Sequence, residues 1–295
     1  MLVMDYSPHS SKVVFTQAYV GRRRMRQVTG AKSVSLRSGV RLEYVQQGDP
    51  SGLPVVFLHG VTDSWRSFEG VLSRLPSSMH AVALSQRGHG GSSRPVAGYR
   101  IVDFSSDLDA FLDKLDIPAA LIVGHSMGSY VAQRFAMDHP GRTLGLVLMG
   151  AFPALRGHAG VPELWGSAVS TLLDPMDPRF VLDFQQRILA RPVPRARLET
   201  LVRETLKVPA HVWRAAFVDC LESDFSKELA TIKAPTLIVC GDQDALFPRC
   251  DQAALHAAIP ASRLVVYPGA GHAFHWEDPA QFATDLVAFG HEHRR

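Results

Sequence analysis

The stretch Ala120–Ala136, ALIVGHSMGSYVAQRFA, constrains the fold of this chain more than any other. An apolar run of strand length meets the cluster Gly-His-Ser-Met-Gly and passes at once into helical spacing. A reversal that sharp needs residues that tolerate unusual backbone angles and close approach. Gly124 and Gly128 supply both, on either side of Ser126. The serine is thereby lifted out of a sheet at the end of a buried strand.

The surrounding sequence supplies that sheet. SVSLRS and VRLEYVQQG flank Ser38-Gly39 and read as an opening hairpin. PVVFLHG, HAVALSQ, AALIVGHS and LGLVLMG are short, apolar and closed by turn formers, as strands buried on both faces are. Helical spacing lies between them at Trp65–Leu75 and Val102–Leu115. Sheet patterning returns at APTLIVCGDQD and SRLVVYPGAGH, and an amphipathic helix through Phe282, Leu286, Val287 and Phe289 closes the chain. The expected class is α/β: a mostly parallel central sheet with helices on both faces, and a helical cap inserted before the last two strands. The divisions follow: an N-terminal extension over 1–32, a core over 33–151 and 229–295, and the cap over 152–228. A cap over the strand ends stands where open α/β sheets bind ligands.

Bulk properties exclude other classes. With 295 residues, 46% of them hydrophobic and 20% charged, the chain has the composition of a soluble globular protein. A net charge of +3 gives no argument for nucleic acid. The one basic run, Gly21–Gln27, has no aromatic residues among its arginines and reads as a solvated tail or helix. Cys220, Cys240 and Cys250 are an odd, scattered set, which fits neither a disulfide framework nor a zinc site and leads us to expect no metal and no cofactor. Without an export-type leader or an apolar run of about 18 residues, a cytoplasmic protein that neither enters nor spans a membrane is expected.

A serine hydroxyl is a weak nucleophile and asks for a base, with an acid to orient that base. Among thirteen histidines, His272 stands apart in the glycine-rich loop of VVYPGAGHAFHWEDP, directly after a buried strand. His275 stands at the start of the helical stretch, where a capping or surface role is expected. LIVCGDQDALFP offers Asp242 and Asp244; Asp244, further out on its loop, is the expected acid. Nothing acidic follows the strand that ends at Met149-Gly150-Ala151-Phe152.

The order Ser126, Asp244, His272, together with FLHG at Phe57–Gly60, QRGHGGSSRP at Gln86–Pro95, GHSMG, GDQD and GAGH, resembles the α/β-hydrolase fold superfamily over about residues 33–290. The resemblance implies a catalytic triad and an oxyanion hole built from the backbone N–H groups of Met127 and Val61. It also implies that His59 holds the loop before Val61 and that His125 packs beside the elbow. One departure is Ser85, where family members commonly carry an acid. Trp65, Phe68, Phe152, Trp165, Phe247 and Phe274 are the candidates for an apolar acyl or alcohol pocket.

The expected activity is cofactor-free hydrolysis of a small-molecule carboxylic ester or lactone. A carbon–carbon bond hydrolase, thioesterase, amidase or perhydrolase would use the same three residues. Relatives acting on carbon–carbon bonds often show Asn where His125 stands, and perhydrolases often show Trp where Val61 stands. A ligand-sensing homologue with little turnover is a further class, which the intact triad disfavours.

Overall fold

Runs of Val, Ile and Leu with no polar alternation become parallel strands buried on both faces. The strands are β1 (Lys32–Ser35), β2 (Arg41–Gln47), β3 (Leu53–Leu58), β4 (Met79–Ser85), β5 (Ala120–His125), β6 (Thr143–Met149), β7 (Thr236–Gly241) and β8 (Ser262–Tyr267). In the computed structural model, which describes residues 30–155, 166 and 168–293, they form one sheet ordered β1-β2-β4-β3-β5-β6-β7-β8. β1 and β2 form the expected antiparallel hairpin, β2 pairs antiparallel with β4, and the remaining pairs are parallel. The basic run at Gly21–Gln27 and Trp165 lie outside the described residues.

Alternate residues of each central strand feed two separate cores. Val56, Leu58, Ile122, Leu146 and Leu148 face α2 (Ile101–Lys114) and α3 (Met127–Asp138) in one cluster. Val55, Phe57, Leu121, Val123 and Val147 face the other way, toward Phe282, Leu286 and Phe289. Full burial of one such side chain stabilises by roughly 1.5–3 kcal/mol, which explains the insistence on apolar residues at every strand position. The expected helix at Trp65–Leu75 is shorter than its periodicity suggests: a 3₁₀ turn, Trp65–Phe68, followed by one α-turn, α1 (Glu69–Leu72).

The cap is helical where it is described, with α4 (Pro178–Arg187), α5 (Arg195–Thr205) and α6 (Ala210–Glu222). Trp213, Val181 and Val212 join it to the α2–α3 side of the core. The chain then continues through β7, α7 (Arg249–Ala258), β8, α8 (Phe274–Glu277) and α9 (Pro279–Glu292). From β3 the sheet grows toward β4 on one side and β5 on the other, so the strand order reverses between β3 and β5. The crevice outside the strand ends at such a point is where open α/β sheets bind ligands.

Candidate active site at the sheet switch point

Ser126 sits at the carboxyl end of β5 with φ 52° and ψ −121°, off the ordinary wells for a non-glycine residue. Such a conformation costs on the order of 1–3 kcal/mol and persists only where neighbours over-determine it. They do here. The Ser126 N–H donates to the Met149 carbonyl at 2.9 Å, tying the elbow to β6. A β-carbon on Gly124 would lie 2.3 Å from the Gly128 carbonyl oxygen, and one on Gly128 would lie 2.2 Å from that of Leu58. Both glycines are therefore fixed by contact between backbones.

His272 and Asp244 arrive from the ends of β8 and β7. His272 Nδ1 and Asp244 Oδ2 are 2.8 Å apart, with the two side chains only 3% and 1% exposed. Asp244 Oδ1 accepts from the N–H groups of Leu246 at 2.8 Å and Phe247 at 3.0 Å. Burial alone would raise the Asp244 pKa; the His272 ring and these hydrogen bonds outweigh it and hold the carboxyl below its usual value. The competing Asp242 points elsewhere, accepting from the Gly269 N–H at 2.6 Å. Register brings the serine and the histidine together. His125 pairs with Met149, so Ser126 stands beside Gly150, and Gly150 lies directly against the His272 ring.

The neighbouring histidines have other partners. Gln86 N–H donates to His59 Nε2 at 2.9 Å, which puts the His59 proton on Nδ1, donating to the Gly60 carbonyl at 2.7 Å. His59 thus holds the loop that leads to Val61. His125 Nε2 donates to the His272 carbonyl at 3.1 Å, packing beside the elbow as expected. His275 departs from the expected capping or surface role: it is 1% exposed, stacks on Phe68 and meets Ser67 Oγ at 3.1 Å through Nε2. The reason is that α8 turns inward, with Phe274 in the second core and Trp276 in a separate small apolar cluster. Burial lowers the pKa of all three rings, to about 3 for His125.

A pocket opens onto Ser126, with about 490 Å³ of space when the solvent at its mouth is counted. Val61 and Met127 line it next to the serine, Phe152 and Phe247 stand in its wall, and the cap adds Phe184, Phe217 and Cys220. Met127 is the first residue of α3, so its N–H is among those a helix leaves without an internal partner. Three expected pocket residues belong elsewhere. Trp65 and Phe274 are buried on the β3–α9 side of the sheet, Phe274 edge-on to Tyr267 and Phe282 and Trp65 under the Arg66 guanidinium; Phe68 packs there too, against Phe57. Their apolarity serves the second core. Phe184, Phe217 and Cys220 escaped the sequence reading, although Phe217 and Cys220 are one helical turn apart on the same face of α6.

The serine at position 85 also gains its partner from the fold. Ser85 pairs in register with Glu43 of β2, and its Oγ donates to Glu43 Oε2 at 2.9 Å. The same carboxylate oxygen accepts from the Gly91 N–H at 2.8 Å. A carboxylate is therefore present at this turn, supplied by the adjacent strand.

The fold thus places a serine, a carboxylate and a histidine after β5, β7 and β8 of one mostly parallel sheet. Residues 54–279 match the family model described as alpha/beta hydrolase fold, and the chain belongs to that family. It is 28% identical over 282 residues to a non-heme chloroperoxidase of Streptomyces lividans, covering 87% of this chain and 98% of the relative. Among solved structures it is similar to Est816, an N-acyl homoserine lactone degrading enzyme, at 27% identity and TM-score 0.73, over 88% of this chain and 100% of that one. An esterase, RhEst1 from Rhodococcus sp. ECU1013, shares the fold with TM-score 0.80 at 24% identity, over 90% of this chain and 100% of that one. Among the described residues no group of His, Cys, Asp or Glu is arranged to hold a metal ion, and no helix is long and apolar enough to cross a membrane.

Proposed function

We propose that this chain is a serine hydrolase of small carboxylic esters or lactones. The observation that carries the reading is the opening of an apolar pocket onto Ser126, beside a buried His272–Asp244 pair. Asp244 accepts the hydrogen bond of the His272 Nδ1–H, which fixes the proton on Nδ1 and leaves Nε2 as the base for the serine hydroxyl. Ser126 Oγ attacks the carbonyl carbon, and the oxyanion is stabilised by the N–H groups of Met127 and Val61. Removing one such donor typically costs about 2.7–4 kcal/mol of transition-state stabilisation. His272 returns its proton to the leaving alcohol, and the same groups then activate water to release the acid. No external cofactor is needed for any of these steps.

The pocket favours an uncharged, apolar acyl or alcohol group. Its wall of Phe152, Phe217, Phe247 and Leu246 offers a charged group no compensating partner. The relative named as a chloroperoxidase favours a second reading, in which hydrogen peroxide replaces water as the acyl acceptor. Val61 stands where perhydrolases often have Trp, and we prefer water.

The test is turnover of p-nitrophenyl acetate and butyrate, and of lactones of graded chain length, by the wild type and by Ser126→Ala. Brisk release that a phosphonate blocks and that the variant lacks is expected. Wild-type turnover in a folded Ser126→Ala protein would overturn the assignment, and stoichiometric labelling without turnover would favour the sensor.

A further inference from the structure

The loop that carries His272 is held by the cap as well as by the sheet. The segment Ile188–Arg191, between α4 and α5, runs against Gly269–Ala273, and the backbones touch. The Ala273 N–H donates to the Ile188 carbonyl at 3.2 Å. A β-carbon on Gly271 would lie 2.6 Å from the Ala190 nitrogen and 2.8 Å from the Ile188 carbonyl oxygen. One carboxylate joins the two segments. Glu277 Oε1 accepts from the Ala190 N–H at 2.7 Å and the Arg191 N–H at 3.2 Å, while Oε2 accepts from the Gly271 N–H at 3.1 Å. Arg191 completes the clamp, its guanidinium donating to the carbonyls of Gly269, at 2.9 Å from Nε, and of Pro268.

An apolar cluster separate from the two sheet cores lies at the same joint. It combines Ile188 and Leu201 of the cap with Ala273 and Trp276 of the histidine segment, and Leu246 of the Asp244 loop packs against it. Both members of the His272–Asp244 pair are thus anchored to this piece of the cap. Ser126, by contrast, is fixed through the elbow glycines, the bond to Met149 and the first turn of α3.

We propose that Glu277 is a positioning residue for His272: it latches the cap segment Ile188–Arg191 onto the base loop, so that docking of the cap sets the base against a serine held independently. The proposal rests on the reading of Ser126 and His272 as nucleophile and base. Glu277 touches no substrate, and its role is exerted through the loop.

The experiment measures the rate constant for phosphonylation of Ser126 by a p-nitrophenyl alkylphosphonate, followed as the burst of p-nitrophenolate. This step needs the base whichever acyl substrate is natural. In parallel, kcat and KM for p-nitrophenyl butyrate and the thermal midpoint are recorded for the wild type, Glu277→Ala, Glu277→Gln and Arg191→Ala. A misplaced base should lower the phosphonylation rate and kcat about tenfold to a hundredfold in Glu277→Ala, with KM changed by no more than about threefold. Glu277→Gln keeps an oxygen for the cap N–H groups and should recover much of that loss, and Arg191→Ala should fall between Glu277→Ala and the wild type.

A phosphonylation rate within about twofold of wild type in Glu277→Ala would overturn the proposal, as would the same result in Arg191→Ala should Glu277→Ala fail to fold. Equal losses in Glu277→Gln and Glu277→Ala, tracking a lowered thermal midpoint, would reduce Glu277 to a structural residue and overturn it too. A wild type that labels at Ser126 but hydrolyses none of the esters or lactones would refute the proposed substrate class, while the labelling rates still decide the role of Glu277.

Discussion

A β-carbon on Gly150 would lie 2.8 Å from both Cε1 and Nδ1 of His272, so the residue after β6 forms the floor under the imidazole. Gly150 also has φ 50°, which a side chain tolerates poorly. Gly150→Ala should therefore push the ring away from Ser126. A displacement approaching 1 Å at a reacting group can cost roughly a hundredfold, so kcat should fall by about that factor with a smaller change in KM. Steady-state kinetics with p-nitrophenyl butyrate checks this, and an unaltered kcat would show that the ring does not depend on this floor.

The two aspartates after β7 should behave differently. Asp244→Asn leaves the geometry but neither holds the Nδ1–H tautomer nor stabilises the imidazolium as a carboxylate does, and kcat should fall by about 10³–10⁴. Asp242→Asn touches only the bond to the Gly269 N–H and should cost less than about tenfold. Comparable losses in the two variants would reopen the choice of acid.

Aromatic residues on opposite sides of the sheet should separate selectivity from stability. Phe217 lines the pocket from the cap, and Phe217→Ala should widen acyl-length preference, with longer p-nitrophenyl esters gaining relative to butyrate. Phe274 is 1% exposed in the second core, and Phe274→Ala should cost about 3–5 kcal/mol of stability without changing the preference. Urea unfolding and a chain-length series distinguish the two.

Stability should fall on mild acidification. Buried His59, His89, His125 and His275 all have lowered pKa values, about 4 for His89 and about 3 for His125. Each ring stays neutral when folded and gains a proton in the unfolded chain near pH 6.5. Their contribution is therefore complete above that pH and is lost as pH falls toward the folded values. Asp63 acts in the opposite sense. Burial raises its pKa to about 7, so its contribution is complete below the usual carboxylate value and is lost as pH rises through 7. With five histidines, His80 included, against the raised Asp63 and Asp107, the urea midpoint should drop between about pH 7 and pH 5, and Asp63→Asn should improve stability most above pH 7 and progressively less as pH falls. A flat or rising midpoint over that interval would contradict this account.

The sequence by itself determined the sheet and the elbow, because both are local. Strand runs at Val55–Leu58, Leu121–Val123 and Leu146–Met149 need only their own apolarity, and Gly124 and Gly128 announce a turn within five residues. His272 and Asp244 were legible for a related reason: each follows directly on a buried strand, and parallel strands deliver their loops to one edge. Only the tertiary structure decided which aromatic residues face the pocket. Phe152 and Phe274 are equally apolar in the chain, yet they lie on opposite faces of the sheet. It also decided the partners of groups remote in sequence: the Glu43 carboxylate beside Ser85, the inward turn of His275, and the contact of Glu277 with Ala190, 87 residues away. Burial and hydrogen bonding across such distances are set by how the layers pack, and no local spacing of residues encodes them.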